Sequence, residues 1–331
     1  MNRTALAAAA AAVVSIGAAC TQTIDAGSNR PHGRLPVDER NHVVLTNDGV
    51  EDNWQGEYAV LLANSGTLKL DAIIVSTSPG HADVAANITG WRALVEAART
   101  SGLRNVPDPI ASTGPPLTRP ADGAIDKTTP NRSEGAQRIL EVSHRVGLPY
   151  RPLVVLTGGR LTDVADAYLI DPTLAERVVV VSALGTTTTS GGAMGVPNGE
   201  MDPWAEMIVA ARLRYVQVSA YYDQLADLPA SRVAELPANA LGDWMAAKQT
   251  KIWSVPLAAD QVAVAALCLP DFAVTVERVS PARLIEPGAT AGPDLLTDPD
   301  GRGWLVTESV GAVATDRLWE LLHDTAAASS P

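Results

Sequence analysis

The feature that most narrows the fold of this chain is an alternation of two kinds of segment. Short β-branched runs, each fit to be a buried strand, are followed by longer stretches with helical spacing. Val43 to Thr46, Asp71 to Thr77, Leu153 to Thr157, Arg177 to Ser182 and Tyr215 to Val218 read as strands. Trp54 to Asn64, Val84 to Thr100 (closed by Gly102), Ser133 (as cap) to Arg145, Leu161 to Ile170 and Asp202 to Arg212 read as helices. Strand–helix alternation of this kind predicts an α/β domain: a largely parallel open sheet with helices on both faces. Composition agrees. Aromatic residues make up 4% of the 331 residues, with Phe272 the single phenylalanine, so the core has to be built from Ala, Val, Leu and Ile. A buried parallel sheet uses those residues. Beyond Ala273 the pattern is irregular, and the stretch from Pro107 to Arg132, rich in Pro, Thr and Gly, is expected to be a long loop of the sort that covers active sites.

The N-terminus reads as a targeting segment. Arg3 precedes a nearly continuous apolar run, Ala5 to Ala19, too short to span a bilayer but suited to a signal peptide. Gly17-Ala-Ala19 then leads into Cys20. Two processing routes stay open: a lipoprotein-type cleavage that leaves a lipid on Cys20, or ordinary cleavage near Ala19. Either way the chain is expected to be exported, as a periplasmic, cell-surface or secreted protein, with the membrane touched only through that lipid. The expected divisions are residues 1–20 as signal peptide, 21–41 as a disordered tether, 42–323 as one domain and 324–331 as a tail. The other cysteine, Cys268, lies in an apolar run and reads as a small buried hydrophobe. A net charge of −12 speaks against a nucleic-acid groove, which needs clustered basic residues.

In a parallel sheet of this type ligands bind at the carboxyl ends of the strands. Those ends are polar and glycine-rich here: Thr46-Asn-Asp48, Thr77 to Gly80, Thr157-Gly-Gly159 and Ser182 to Gly185. The first continues as Thr46-Asn-Asp-Gly-Val-Glu-Asp-Asn53, which gathers Asp48, Glu51, Asp52 and Asn53. Acids crowded at one strand end repel unless protons or a hard cation intervene. The same residues also suit a solvated loop that caps a helix.

The Thr46–Asn53 segment resembles the acidic signature of the inosine/uridine-preferring nucleoside hydrolases: Asp, any residue, Asp, three residues, Asp-Asp. Asp48 and Asp52 keep the second and third acids. Thr46 and Asn53 stand in for the first and fourth. The order of later segments is similar to that family too: Leu153 to Asp163, Asp171 to Arg177 with the Val-rich strand after it, Gly199-Glu-Met-Asp-Pro-Trp204, Asp260 to Ala265, and Ala314 to Leu322. The resemblance implies a nucleoside hydrolase-like fold and cleavage of the N-glycosidic bond of a nucleoside or related ribosyl compound. It implies Ca2+ held by Asp48, Asp52, Asn53, the Thr157 carbonyl and Asp260, with Asp48 as general base on a metal-bound water. It puts His81, Asn198, Glu200 and Asp202 around the sugar. Local roles compete with these: Glu200 and Asp202 could cap the helix at Pro203, and His81 could be a turn residue. The family's histidine before the last metal acid is Ala259, and residues 107–132 contain no histidine. A non-catalytic protein that binds a carbohydrate or nucleoside on the same fold is therefore the competing expectation, and a homo-oligomer is left open.

Overall fold

The computed structural model describes residues 34–50, 53–183, 198–219, 230–252, 260–281 and 292–328. The chain divides into Met1–Pro31 and His32–Pro331. The signal segment, Cys20 and most of the expected tether lie outside the described residues, as do Glu51 and Asp52.

Within the second unit the strands are β1 (His42–Asn47), β2 (Lys69–Val75), β3 (Pro109–Ala111), β4 (Leu153–Thr157), β5 (Val178–Ala183), β6 (Arg214–Val218), β7 (Ala273–Pro281), β8 (Leu295–Thr297) and β9 (Gly303–Ser309). The helices are α1 (Gln55–Asn64), α2 (Val84–Thr100), α3 (Glu134–Val146), α4 (Thr162–Ile170), α5 (Leu174–Arg177), α6 (Pro203–Arg212), α7 (Ala240–Ile252), α8 (Gln261–Cys268) and α9 (Gly311–Ala328). Among the described residues the strands form one sheet in the order β3-β2-β1-β4-β5-β6-β9-β7-β8. It is parallel from β3 through β9, and only β7 pairs antiparallel, with β9 and β8.

Side chains alternate across a strand, so the two faces can be read directly from sequence parity. Val43, Leu45, Val154, Leu156, Val179 and Val181 point to a core shared with α1, α2, α7, α8 and α9. Val44, Leu153, Val155, Val178 and Val180 point to the opposite core, with α3, α4 and α6. Both faces of the central strands are dry, as continuous Val/Leu runs require. Helix ends follow their local chemistry. Asp83 caps α2 through the amides of Ala85 and Ala86, and Gly102 supplies the left-handed φ of +86° after it. Ser133 caps α3 and Asp202 caps α6, which has Pro203 at its first position.

Two expectations need correction, the bounds of the domain and the stretch after Ala273. The packed unit begins before His42, because Leu35 and Val37 are buried in the first core, and its last helix runs past residue 323. Pro107 to Arg132 is, as expected, without regular structure for most of its length, but it is packed down. It contains β3 and a single 3-10 turn at Ile125–Lys127, buries Leu117 and Ile125, and is tied down by Trp204 Nε1 on Thr128 Oγ1 (3.0 Å). Among the described residues after Ala273, β7, β8 and β9 complete the sheet. Cys268 is a buried free thiol, as expected.

The turn from α4 to α5 carries a pH-dependent clamp. Asp171 accepts from the Thr173 hydroxyl (2.6 Å) and amide (3.0 Å), and from Arg177 Nη2 (2.6 Å). Partial burial would raise its carboxyl pKa, but these donors hold it at about 2. A depressed folded-state pKa contributes stability above the unfolded value of 3.8, and that contribution is lost as pH falls through about 2. The side chain is 25% exposed, so the contribution is about 1 kcal/mol. Asp171→Asn is expected to lower the urea midpoint at pH 7 and to lose most of that deficit near pH 2. An equal deficit at both pH values would show that the charge is not responsible.

Candidate functional site

β1 delivers Asn47 and Asp48 to the carboxyl edge of the sheet, between β2 and β4. The backbone locks the edge on both sides. Ser76 N–H donates to the Asn47 carbonyl (2.8 Å) and Gly158 N–H to the Thr46 carbonyl (2.8 Å). Thr46 and Thr157 are register partners. Gly158 has to be glycine: a Cβ there would sit 2.7 Å from Asp260 Cβ and strike the Asn47 and Gln55 amides. This close approach brings the start of α8 onto the ends of β1 and β4.

Asp48 is 4% exposed. Its Oδ1 accepts the Gly49 N–H (2.7 Å), and its carbonyl accepts Trp91 Nε1 from α2 (3.2 Å). The His81 ring fills the space that a side chain at Gly49 would need, so His81 packs against the residue that follows Asp48. Arg160, buried on the turn after β4, shares the field of Asp163, Asp202 and Asp48. Burial pulls its guanidinium pKa down while those three acids push it back up. Its Nη2 is fixed on the Gly114 carbonyl (2.5 Å).

Asp260 is the hub on the other side, 5% exposed. Oδ1 accepts Asn198 Nδ2 (2.8 Å); Oδ2 accepts Asn53 Nδ2 (2.8 Å) and Asn47 Nδ2 (3.3 Å). Its backbone carbonyl accepts Gln55 Nε2 (2.9 Å). Behind Asn53 lies a buried ion pair: Lys248 Nζ sits 2.7 Å from Glu57 Oε1, donates to the Asn53 carbonyl, and lies 4.7 Å from the Trp54 ring centroid. Trp244 Nε1 donates to the same Glu57 oxygen (2.9 Å).

The structure therefore brings Asp48, Asn53, Thr157, Asn198, Asp260 and, at the rim, His81 to one end of the sheet. Asp202 is committed elsewhere. Oδ1 caps α6 through the Ala205 amide (3.1 Å), and Oδ2 accepts the Leu117 amide (2.9 Å) and the Thr162 hydroxyl (2.6 Å). Burial raises its carboxyl pKa against those donors. Asp52 and the Glu200 side chain lie outside the described residues. Sequence reasoning missed Asn47, Gln55, Arg160 and Lys248. The first three lie within two or three residues of motif positions, which was the available signal. Lys248 gave none.

The described residues do not fit a calcium ion. Such an ion takes roughly six to eight oxygens. Here the two Asp260 oxygens face amide N–H groups, and Asn53 Oδ1 accepts the Gln55 amide (2.9 Å). Among the described residues no three His, Cys, Asp or Glu side chains converge as a metal group.

Comparison of the sequence with protein-family models and with curated proteins gives no match. Comparison with solved structures does. An inosine-uridine preferring nucleoside hydrolase from Bacillus anthracis superposes with a TM-score of 0.61 at 15% identity, covering 86% of this chain and 99% of that one. A purine-preferring ribonucleoside hydrolase from Gardnerella vaginalis gives 0.58 at 16%, covering 86% and 99%. A plant nucleoside hydrolase gives 0.57 at 14%, covering 88% and 99%. The fold is that of the nucleoside hydrolases, carried by a divergent sequence.

Proposed function

We propose that this chain, built on the nucleoside hydrolase fold, binds a nucleoside or related ribosyl compound at the carboxyl ends of β1 and β4 and hydrolyses its N-glycosidic bond. The observation that carries the reading is the position of Asp48: a nearly buried carboxylate held at the strand end by the Gly49 amide, with the His81 ring packed over Gly49. In this mechanism Asp48 takes a proton from water as the water oxygen bonds to the anomeric carbon. The carbon–nitrogen bond breaks, its electron pair stays on the departing nucleobase, and the nucleobase takes a proton from solvent while Asp48 returns its own to solvent. Positive character on the sugar is stabilised by the surrounding acids. His81, Asn198 and Glu200 are assigned to the sugar in this reading. Asp202 contributes by fixing the start of α6, since its oxygens are already engaged. No step is routed through calcium.

A second reading, non-catalytic binding of a nucleoside or carbohydrate, is favoured by one observation: side-chain amides of Asn53 and Asn198 donate to the Asp260 carboxylate. A nucleoside panel separates the two. Release of base and ribose supports hydrolysis, calorimetric binding without release supports the binding protein, and neither result would remove both. Export is part of the same proposal, on the composition of Ala5 to Ala19. The mature protein is expected to lack Met1 to Ala19 by mass spectrometry, and an intact Met1 would end that part of the reading.

A further inference from the structure

We propose that a clamp of side-chain amides around Asp260 takes the place of a metal ion, so that this site is built to be stable without calcium. A carboxylate almost removed from water needs a cation or several hydrogen-bond donors. Asp260 has the donors: Asn198 on one oxygen, Asn53 and Asn47 on the other. The orientation of these amides is fixed by their other partners. Asn198 Nδ2 also donates to the Ala183 carbonyl (2.9 Å), which can only accept. Asn53 Oδ1 receives the Gln55 backbone N–H, which can only donate. Gln55 Nε2 meets the Asp260 carbonyl, which leaves Gln55 Oε1 to accept from Asn47 Nδ2 (2.5 Å). Turning any one amide to offer oxygen to an ion sets donor against donor or acceptor against acceptor at its neighbour.

The charges agree with the hydrogen bonds. Asn53 is neutral where the resembling family has an acid, and the Lys248 ammonium sits on the Asn53 carbonyl. A dication beside Asp260 would thus face amide N–H groups. Three buried oxygens nearby, Thr46 Oγ1, Asn47 Oδ1 and Thr157 Oγ1, lack partners among the described residues. All three are neutral, and for Asn47 Oδ1 and Asp260 to share an ion, the Asn47 amide would have to leave Gln55 and Asp260. The inference rests on this donor geometry and not on the proposed hydrolysis, so either can fail alone.

The test uses the whole purified chain with calcium chloride as the probe. For the wild type, calorimetric titration is expected to show no saturable heat, and neither calcium nor a chelator is expected to move the urea midpoint. Asn53→Asp points a carboxylate oxygen at Asp260 Oδ2 across the present 2.8 Å contact. It is expected to lower the midpoint in chelator, and calcium should raise that midpoint saturably. Asn198→Asp repeats the experiment from the Oδ1 side, and the wild-type titration decides by itself if neither variant folds. Saturable calcium binding or calcium-dependent stability in the wild type overturns the proposal. So does an Asn53→Asp variant as stable in chelator as the wild type, because Asn53 would then not be facing the Asp260 carboxylate.

Discussion

Lys248→Met is expected to destabilise the protein by about 3–5 kcal/mol, the usual cost of removing one partner from a buried ion pair. Lys248 and Glu57 are 2% and 0% exposed at the side chain, so water cannot replace the lost ammonium. The variant leaves the buried Glu57 carboxyl with one indole N–H, from Trp244, and with Oε2 already lacking a partner among the described residues. The loss should appear as a lower urea midpoint with an unchanged slope. Adding Glu57→Gln should recover most of it, because the stranded carboxyl is then gone while an acceptor for Trp244 remains. A single variant with the wild-type midpoint would show that the pair is not as buried as described. Lys248 also holds the Asn53 carbonyl, so ligand affinity at the strand ends should weaken along with stability.

Asp48→Ala is expected to reduce glycosidic cleavage by about 100- to 10,000-fold, the range supplied by a positioned general base. The side chain is buried mainly for its place at the strand end, and its Oδ1 contact is with the amide of the very next residue. The fold should therefore survive. Asp48→Asn keeps the shape and removes the basicity; it should be nearly as inactive while binding a nucleoside with the wild-type dissociation constant. Equal cleavage by the wild type and both variants would remove Asp48 from the mechanism.

The parallel half of the sheet was legible because its strands are buried on both faces and read as unbroken Val/Leu runs. Leu153–Thr157 and the helix Val84–Thr100 match the sequence reading residue for residue. β7 was not legible. It is an antiparallel strand, mostly half-exposed, and register shifts between Ala273 and Val276 break the two-residue alternation. The packing of Pro107 to Arg132 was not legible because it rests on single residues such as Leu117, whose amide finds Asp202 far away in sequence. The acids Asp48 and Asp260 stood out as charges near recognisable segments. Asn53 and Asn198 stood out as well, as candidates for a metal and a sugar, but Asn47 did not, and nothing in the pattern told that all three donate to a buried carboxylate.

The insertion of β9 between β6 and β7 has a consequence for assembly. Tyr215–Val218 gains its second neighbour only when Gly303–Val306 arrives. β6 follows β5 closely, but β9 lies beyond α7, α8, β7 and β8. A chain emerging from its N-terminus therefore carries β6 as a bare parallel edge until nearly all of it has been made, and an unpaired apolar edge is a template for joining another chain. A product cut short before Gly303 would keep all the strand-end residues named above and yet be expected to associate through the edge of β6.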